Sequence, residues 1–70
     1  IDVGAKVEVY ELINSLTAEG KAVLLVSSEL PELMGMSDRM VILSNGLIGG
    51  TFDRDDATQE RILAAAMAHN

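Results

Sequence analysis

The residues of this chain with the clearest potential for chemistry are two serines and a glutamate, Ser27, Ser28 and Glu29. They follow four aliphatic residues at 23–26 and precede Pro31, which suits the first turn of a helix because N–H groups there have no partner inside the helix. Ligands of open α/β sheets gather beyond the carboxyl ends of the strands. The stretch 23–32 therefore predicts a buried strand that ends in a polar turn able to face a ligand.

Ser28 is the strongest single candidate for a functional residue in this turn. A nucleophilic serine needs a histidine base held by an acid, and the G-x-S-x-G elbow is absent, since Ser28 lies in Val-Ser-Ser-Glu-Leu without either glycine. A serine hydrolase would predict labelling of Ser28 by a fluorophosphonate, which we do not expect. The residues alone favour a structural role in which Ser27 or Ser28 caps the following helix.

The other polar groups predict no metal or phosphate site. His69 has no Cys, Asp or Glu at ligand spacing, so we expect a solvated side chain. Asp53, Asp55 and Asp56 resemble the start of a calcium loop but lack the later glycine and glutamate that such a loop requires. The phosphate-loop pattern G-x-x-x-x-G-K-[ST] is also absent.

The first half of the chain predicts a helix followed by a strand. The helix is expected to begin at Asp2, a good N-cap, and to end at Gly20, a left-handed cap residue. A strand is predicted at 22–27, and its run of aliphatic side chains favours burial on both faces, as in a parallel sheet. The predicted helix carries one apolar stripe, which consists of Ala5, Val9, Leu12, Ile13 and Leu16.

A short helix and a hairpin are predicted next. The helix starts at Leu30, and two strands, 39–43 and 47–52, are expected to pair antiparallel. Between them stands Asn45-Gly46, the typical sequence of a type I′ turn.

The last part of the chain predicts an irregular strand and a final helix. Gly49 and Gly50 indicate a bulge or an edge position in the second hairpin strand. The final helix should begin near Thr58. Its predicted apolar face consists of Ile62, Leu63, Ala66 and Met67. The predicted order is α-β-α-β-β-α, which places the chain in the α/β class.

Composition limits the classes of partner. The net charge of −6 and only five Lys and Arg residues argue against nucleic acid and anionic membranes. The absence of Cys argues against a disulfide scaffold. An apolar fraction of 49% is high for 70 residues, because small domains bury a smaller share of their surface than large ones. Together with a helix signal right at the start, this leads us to expect a piece of a longer protein.

Several motifs, taken together, resemble a known family. They are Ile-Asp-Val-Gly-Ala-Lys at 1–6, Val-Ser-Ser-Glu-Leu-Pro-Glu-Leu at 26–33, Met-Ser-Asp-Arg at 36–39 and Ala-Thr-Gln-Glu at 57–60. The whole chain, residues 1–70, resembles the C-terminal part of the second nucleotide-binding domain in ATP-binding subunits of bacterial ABC importers for ribose, xylose and galactose. The resemblance implies an α/β fragment of a P-loop NTPase domain.

The resemblance also implies roles for two residues. Asp2 corresponds to the acid of the D-loop, near the interface between two nucleotide-binding domains. Ser28 stands where most ABC ATPases have the switch histidine that contacts the γ-phosphate. A serine can donate a hydrogen bond but cannot carry positive charge, so the resemblance implies a weakened catalytic site.

The parts that the chain lacks decide what the resemblance implies for its activity. The phosphate loop, the signature motif and the catalytic glutamate are expected upstream of Ile1, so the fragment should neither bind nor hydrolyse ATP. ATP and Mg²⁺ belong to the parent protein, together with a second nucleotide-binding domain and membrane permease subunits. The parent is expected on the cytoplasmic face of the bacterial inner membrane, and the isolated fragment is expected to self-associate.

One alternative from another functional class stays open at this point. The chain could be a free-standing α/β interaction or regulatory module without enzyme activity. The two hypotheses differ in what they predict upstream of Ile1, where only the transporter hypothesis requires a phosphate loop and a signature motif.

Overall fold

The structure, a computed structural model, describes residues 3–70, and the side chains of residues 6–70. Its regular elements, in order, are α1 (Val3–Ala18), α2 (Leu30–Met36), β1 (Arg39–Ser44), β2 (Leu47–Asp53) and α3 (Gln59–Ala66), with a short 3₁₀ helix at Arg54–Asp56 before α3. Among these residues, no helix has both the length and the apolar character needed to cross a membrane.

The antiparallel hairpin of β1 and β2 confirms the pairing that the sequence predicts. Asn45 and Gly46 connect the strands with φ angles of 51° and 82°. Positive φ at both central residues is the hallmark of a type I′ turn, whose twist matches that of the flanking strands. The local turn signal was therefore sufficient to place both strands.

A bulge in β2 confirms the expectation for the glycine pair. Ile42 pairs with Gly50 and Leu43 with Ile48, so Gly49 is the extra residue. A Cβ on Gly49 would overlap the backbone carbonyl oxygen of Ala65 and come within 2.9 Å of its carbonyl carbon. The bulge thus lets the backbone of α3 lie directly on the hairpin.

The core lies between one face of the hairpin and α3. It consists of Met40, Ile42, Ile62 and Ala65, surrounded by the partly buried Leu30, Leu33, Met34, Phe52 and Ala57. Helix α3 begins near Thr58, as predicted. Thr58 is its N-cap, and the Thr58 Oγ1 accepts a hydrogen bond from the Arg61 backbone N–H at 3.2 Å.

The apolar face predicted for α3 was only partly right. Leu63 and Met67 are 49% and 65% exposed, and Ala66 is exposed as well. The buried line runs instead through Ile62 and Ala65. The close approach of α3 to the hairpin at the β2 bulge determines which side of the helix is buried. The hydrophobic pattern of the α3 sequence does not reveal that contact.

Helix α1 matches its predicted length but not its predicted burial. Gly20 follows it with a φ of 89°, which confirms the left-handed cap, whereas the cap predicted at Asp2 lies outside the described residues. Val9 and Leu12 of the apolar stripe are 49% and 59% exposed. Ile13 and Leu16 are partly buried but do not belong to the core.

The parallel core strand predicted at 22–27 is not formed in this structure. The segment is irregular, and the side chains of Leu24 and Val26 are 92% and 90% exposed. The described sheet has two strands, β1 and β2, so the order is α-α-β-β-α instead of α-β-α-β-β-α. A strand needs neighbouring strands to pair its backbone groups, and no described residue takes that place beside the segment.

Candidate functional site

Ser28 lies between the exposed aliphatic segment and α2, and we call residues 27–32, which include the first residues of α2, the Ser28 turn. The Ser27 Oγ accepts a hydrogen bond from the Glu29 N–H at 3.0 Å. Glu29 occupies the N-cap position, without a side-chain cap. The expectation that Ser27 or Ser28 caps α2 was therefore wrong, because the Ser27 hydroxyl closes a local turn one residue earlier.

Ser28 itself is exposed, and its side chain makes no hydrogen bond within residues 6–70. His69 lies elsewhere. Its ring Nε2 is 3.0 Å from the Ile48 carbonyl oxygen, and its backbone N–H donates a hydrogen bond to the Ser44 Oγ at 3.0 Å. His69 is exposed as predicted, yet it is bonded to the hairpin and not simply solvated. Since Ser28 and His69 do not meet, the described residues provide no histidine base for a serine hydrolase.

Helix α1 holds the Ser28 turn through four polar side chains, which we call the α1 clasp: Lys6, Tyr10, Glu29 and Glu32. The Lys6 ammonium pairs with the Glu29 carboxylate and lies 3.5 Å from the Glu32 Oε2. The Tyr10 hydroxyl donates to the same Glu32 oxygen at 2.6 Å. The Glu32 side chain is only 13% exposed, so this carboxylate is the most enclosed of the three charged groups in the clasp.

The clasp shifts the pKa of three of its members. The hydrogen bond from Tyr10, with further contributions from Ser27 and Lys6, lowers the pKa of Glu32. The same hydrogen bond raises the pKa of the Tyr10 hydroxyl, since deprotonation of Tyr10 would leave a phenolate beside the Glu32 carboxylate. The hydrogen bond to Glu29 raises the pKa of Lys6. All three shifts favour the charged carboxylate, the neutral phenol and the charged amine that the clasp requires.

These shifts predict a pH window for the docking of α1. Because the pKa of Glu32 is lowered, its contribution is complete above pH 4.5, where glutamate ordinarily titrates, and is lost as the pH falls through the lower folded value. Because the pKa of Tyr10 is raised, its contribution is complete below pH 10.0 and is lost at higher pH. In an NMR titration we expect the Tyr10 and Glu32 signals to change together at both limits. Independent titration of the two signals would contradict the clasp.

Sequence patterns did not lead to the clasp, although a signal exists. Lys6 and Tyr10 stand four residues apart, and Glu29 and Glu32 stand three apart, so each pair shares a helical face. Nothing local connects two faces that are separated by more than twenty residues in the chain. Their complementary charge patterns would have been the clue.

An open groove of about 1220 Å³ lies beside the exposed aliphatic segment, and its lining includes Leu25, Ser28, Met40 and Ile62. The exposed Ser28 hydroxyl therefore lies next to a largely apolar groove. The described residues contain no cluster of His, Cys, Asp or Glu suited to a metal ion, and the acidic residues at 53–56 are exposed in the 3₁₀ helix and its flank.

Neither the family models nor the solved structures contain a match to this chain. Curated relatives, in contrast, match it from end to end. The chain is 56% identical over all its residues to the ribose import ATP-binding protein RbsA 1 of Streptomyces avermitilis. Over 94% of its length it is 59% identical to the xylose import ATP-binding protein XylG of Moorella thermoacetica and 62% identical to the ribose import ATP-binding protein RbsA 2 of Rubrobacter xylanophilus.

In each case the chain spans only 13% of the relative's own length. The likeness nevertheless includes the Ser28 turn, both hairpin strands and α3, since it covers nearly every residue of the chain. The chain belongs, as a short segment, to the family of ATP-binding proteins of ABC-type sugar importers.

Proposed function

We propose that residues 1–70 form the C-terminal part of the second nucleotide-binding domain in an ATP-binding subunit, and that the complete protein uses ATP to drive monosaccharide import. Identity of 53–62% along the chain supports the type of protein. The structural observation that carries the proposal is the aliphatic segment 22–27, which lies unpaired and exposed directly before Ser28.

We interpret the exposed segment 22–27 as a core strand without the neighbouring strands that would pair with its backbone and cover its side chains. Full burial of a Leu or Val side chain is worth about 1.5–3 kcal/mol, which Leu24 and Val26 forgo in this structure. In the complete domain, we expect strands from the rest of the protein to flank this segment and form a parallel sheet. The Ser28 turn would then stand at the carboxyl end of a core strand, where such sheets bind ligands.

Within that domain, the proposed role of Ser28 is to donate a hydrogen bond to the γ-phosphate of ATP from the switch position. Asp2 is proposed to act as the D-loop acid beside the opposing site. ATP would be held there with Mg²⁺, and hydrolysis of its terminal phosphoanhydride bond, which transfers the γ-phosphoryl group to water, would supply the energy for transport. Because Ser28 adds no positive charge, we expect slow hydrolysis at this site.

We do not expect the 70 residues to bind a phosphate by themselves. The carboxylates next to Ser28 belong to Glu29 and Glu32, and Lys6 is already paired with them. We therefore propose that the rest of the protein provides the phosphate loop and the signature motif. The proposed partners are a second nucleotide-binding domain and membrane permease subunits, which would place the protein peripherally at the cytoplasmic face of the bacterial inner membrane.

The reading frame upstream of Ile1 gives the first test. The proposal expects a phosphate loop and a signature motif in the same frame. We further expect a non-hydrolysable ATP analogue to bind the complete protein and not the 70-residue chain. An initiator Met only a few residues before Ile1 would instead favour the alternative, a free-standing interaction module that uses the exposed groove.

The isolated chain is predicted to self-associate through its exposed aliphatic segment, with a second copy covering Leu24 and Val26. Sedimentation velocity should show dimers or larger species that grow with concentration, and the double substitution Leu24→Ser with Val26→Ser should shift them toward monomer. Leu47→Ser, at a hairpin residue that is 58% exposed, is the matched control and should leave association unchanged. A compact monomer at high concentration would contradict this prediction.

A further inference from the structure

The α1 clasp links a helix that is otherwise loosely attached to the turn that carries Ser28. Within residues 6–70, every side-chain hydrogen bond from α1 to another part of the chain ends on Glu29 or Glu32. The described residues of the apolar stripe of α1, which are Val9, Leu12, Ile13 and Leu16, do not belong to the core. The position of α1 relative to the Ser28 turn therefore depends on these contacts.

We propose that Lys6 and Tyr10 are positioning residues that hold the Ser28 turn, so that a displacement of α1 displaces Ser28. The inference rests on the proposed function only in assigning Ser28 a role at the γ-phosphate. The physical link between the helix and the turn can be tested without ATP.

Two attachment points make the clasp suited to this role. Glu29 directly follows Ser28, whereas Glu32 lies one turn further along, inside α2. A single contact would leave the turn free to rotate about it. Lys6 reaches both carboxylates, and Tyr10 adds a second bond to Glu32, so the turn is held in orientation as well as in place.

Glu29 is 54% exposed, but the enclosure of Lys6 and Glu32 distinguishes their part of the clasp from an ordinary surface ion pair. The side chains of Lys6 and Glu32 are 24% and 13% exposed, whereas those of Lys21 and Glu19 are each 63% exposed. Exposed pairs contribute little because water and salt screen them. A partly enclosed pair that shares an oxygen with a hydroxyl donor is screened less and better defined in geometry.

The link can be measured in the 70-residue chain with a paramagnetic label on α1. The chain has no Cys, so Glu11→Cys on the exposed side of α1 provides a unique attachment site. In the dilute labelled protein, we expect the amide signals of Ser28 and Glu29 to be broadened. Lys6→Gln combined with Tyr10→Phe should abolish most of that broadening, while the hairpin amides Met40 and Ile42 report that the core remains folded.

Two further variants separate positioning from general destabilisation. Lys6→Arg keeps the charge and should restore the broadening when Tyr10 is intact. Lys21→Gln removes the same charge as Lys6→Gln from the exposed pair and should have no effect. If the broadening of Ser28 survives in the Lys6→Gln, Tyr10→Phe chain, the inference is overturned, whatever nucleotide the complete protein binds. If the hairpin amide signals shift as well, the double variant is not a clean test, and the broadening of Ser28 is compared between Lys6→Gln alone and Lys6→Arg. Equal broadening of Ser28 in these two variants overturns the inference.

Discussion

Replacement of Gly49 by alanine is expected to lower the free energy of unfolding by about 3 kcal/mol, the upper end of the range for overpacked cores. The new methyl group would overlap the Ala65 carbonyl oxygen, which is part of the α3 backbone and cannot turn aside as a side chain can. The helix would have to move away from the hairpin and expose Ile62. Since a core of this size supplies roughly 3–5 kcal/mol, most of the stability would be lost. Urea unfolding followed by circular dichroism measures the change.

Gly35 offers a matched control for the Gly49 substitution. A Cβ at this position meets no atom within 4 Å, and the residue lies inside α2. Gly35→Ala should therefore leave stability unchanged or raise it by up to about 1 kcal/mol through helix propensity. Similar losses for both substitutions would contradict the proposed importance of the close approach of α3 to Gly49.

Replacement of Ser28 by histidine in the complete protein is expected to raise ATP hydrolysis at this site by about tenfold or more, since single groups that stabilise transition-state charge contribute on the order of 10²–10³. The imidazole would add a donor that can carry positive charge toward the phosphoryl oxygens. The kcat should be measured in a complete protein in which the phosphate-loop lysine of the other ATP site is substituted. Only the site that contains Ser28 then contributes to the rate.

Ser15→His is the control for this gain, because it adds the same imidazole at an exposed position of α1. It should leave kcat unchanged. Ser28→Ala should lower kcat if the hydroxyl donates to the γ-phosphate. An unchanged rate in both Ser28→His and Ser28→Ala would show that Ser28 does not face the reacting phosphate.

The elements that could be predicted from sequence are those that depend on local signals. The type I′ turn at Asn45-Gly46 required only two adjacent residues with positive φ, and it set the hairpin register. Thr58 capped α3 and Gly20 ended α1 for similarly local reasons. In each of these cases the residue that determines the structure lies within a few positions of the structure it determines.

The elements that could not be predicted depend on contacts between distant residues. The aliphatic pattern at 22–27 correctly indicates a need for burial, but a strand also needs partners, and the described residues offer none. The buried side of α3 follows from the contact of Ala65 with Gly49. The clasp between Tyr10 and Glu32 likewise joins residues that no local pattern connects.

The central claim is that the Ser28 turn faces the γ-phosphate of ATP in the complete protein. Photocrosslinking with an ATP analogue that carries its reactive group on the γ-phosphate tests this directly. Trypsin cuts after Lys21 and Arg39, so residues 22–39, with Ser28 inside, form one peptide that mass spectrometry can identify. The proposal predicts that this peptide is labelled in the complete protein, that excess ATP prevents the labelling, and that the 70-residue chain stays unlabelled. Labelling confined to other peptides, or equal labelling of the isolated chain, would contradict it.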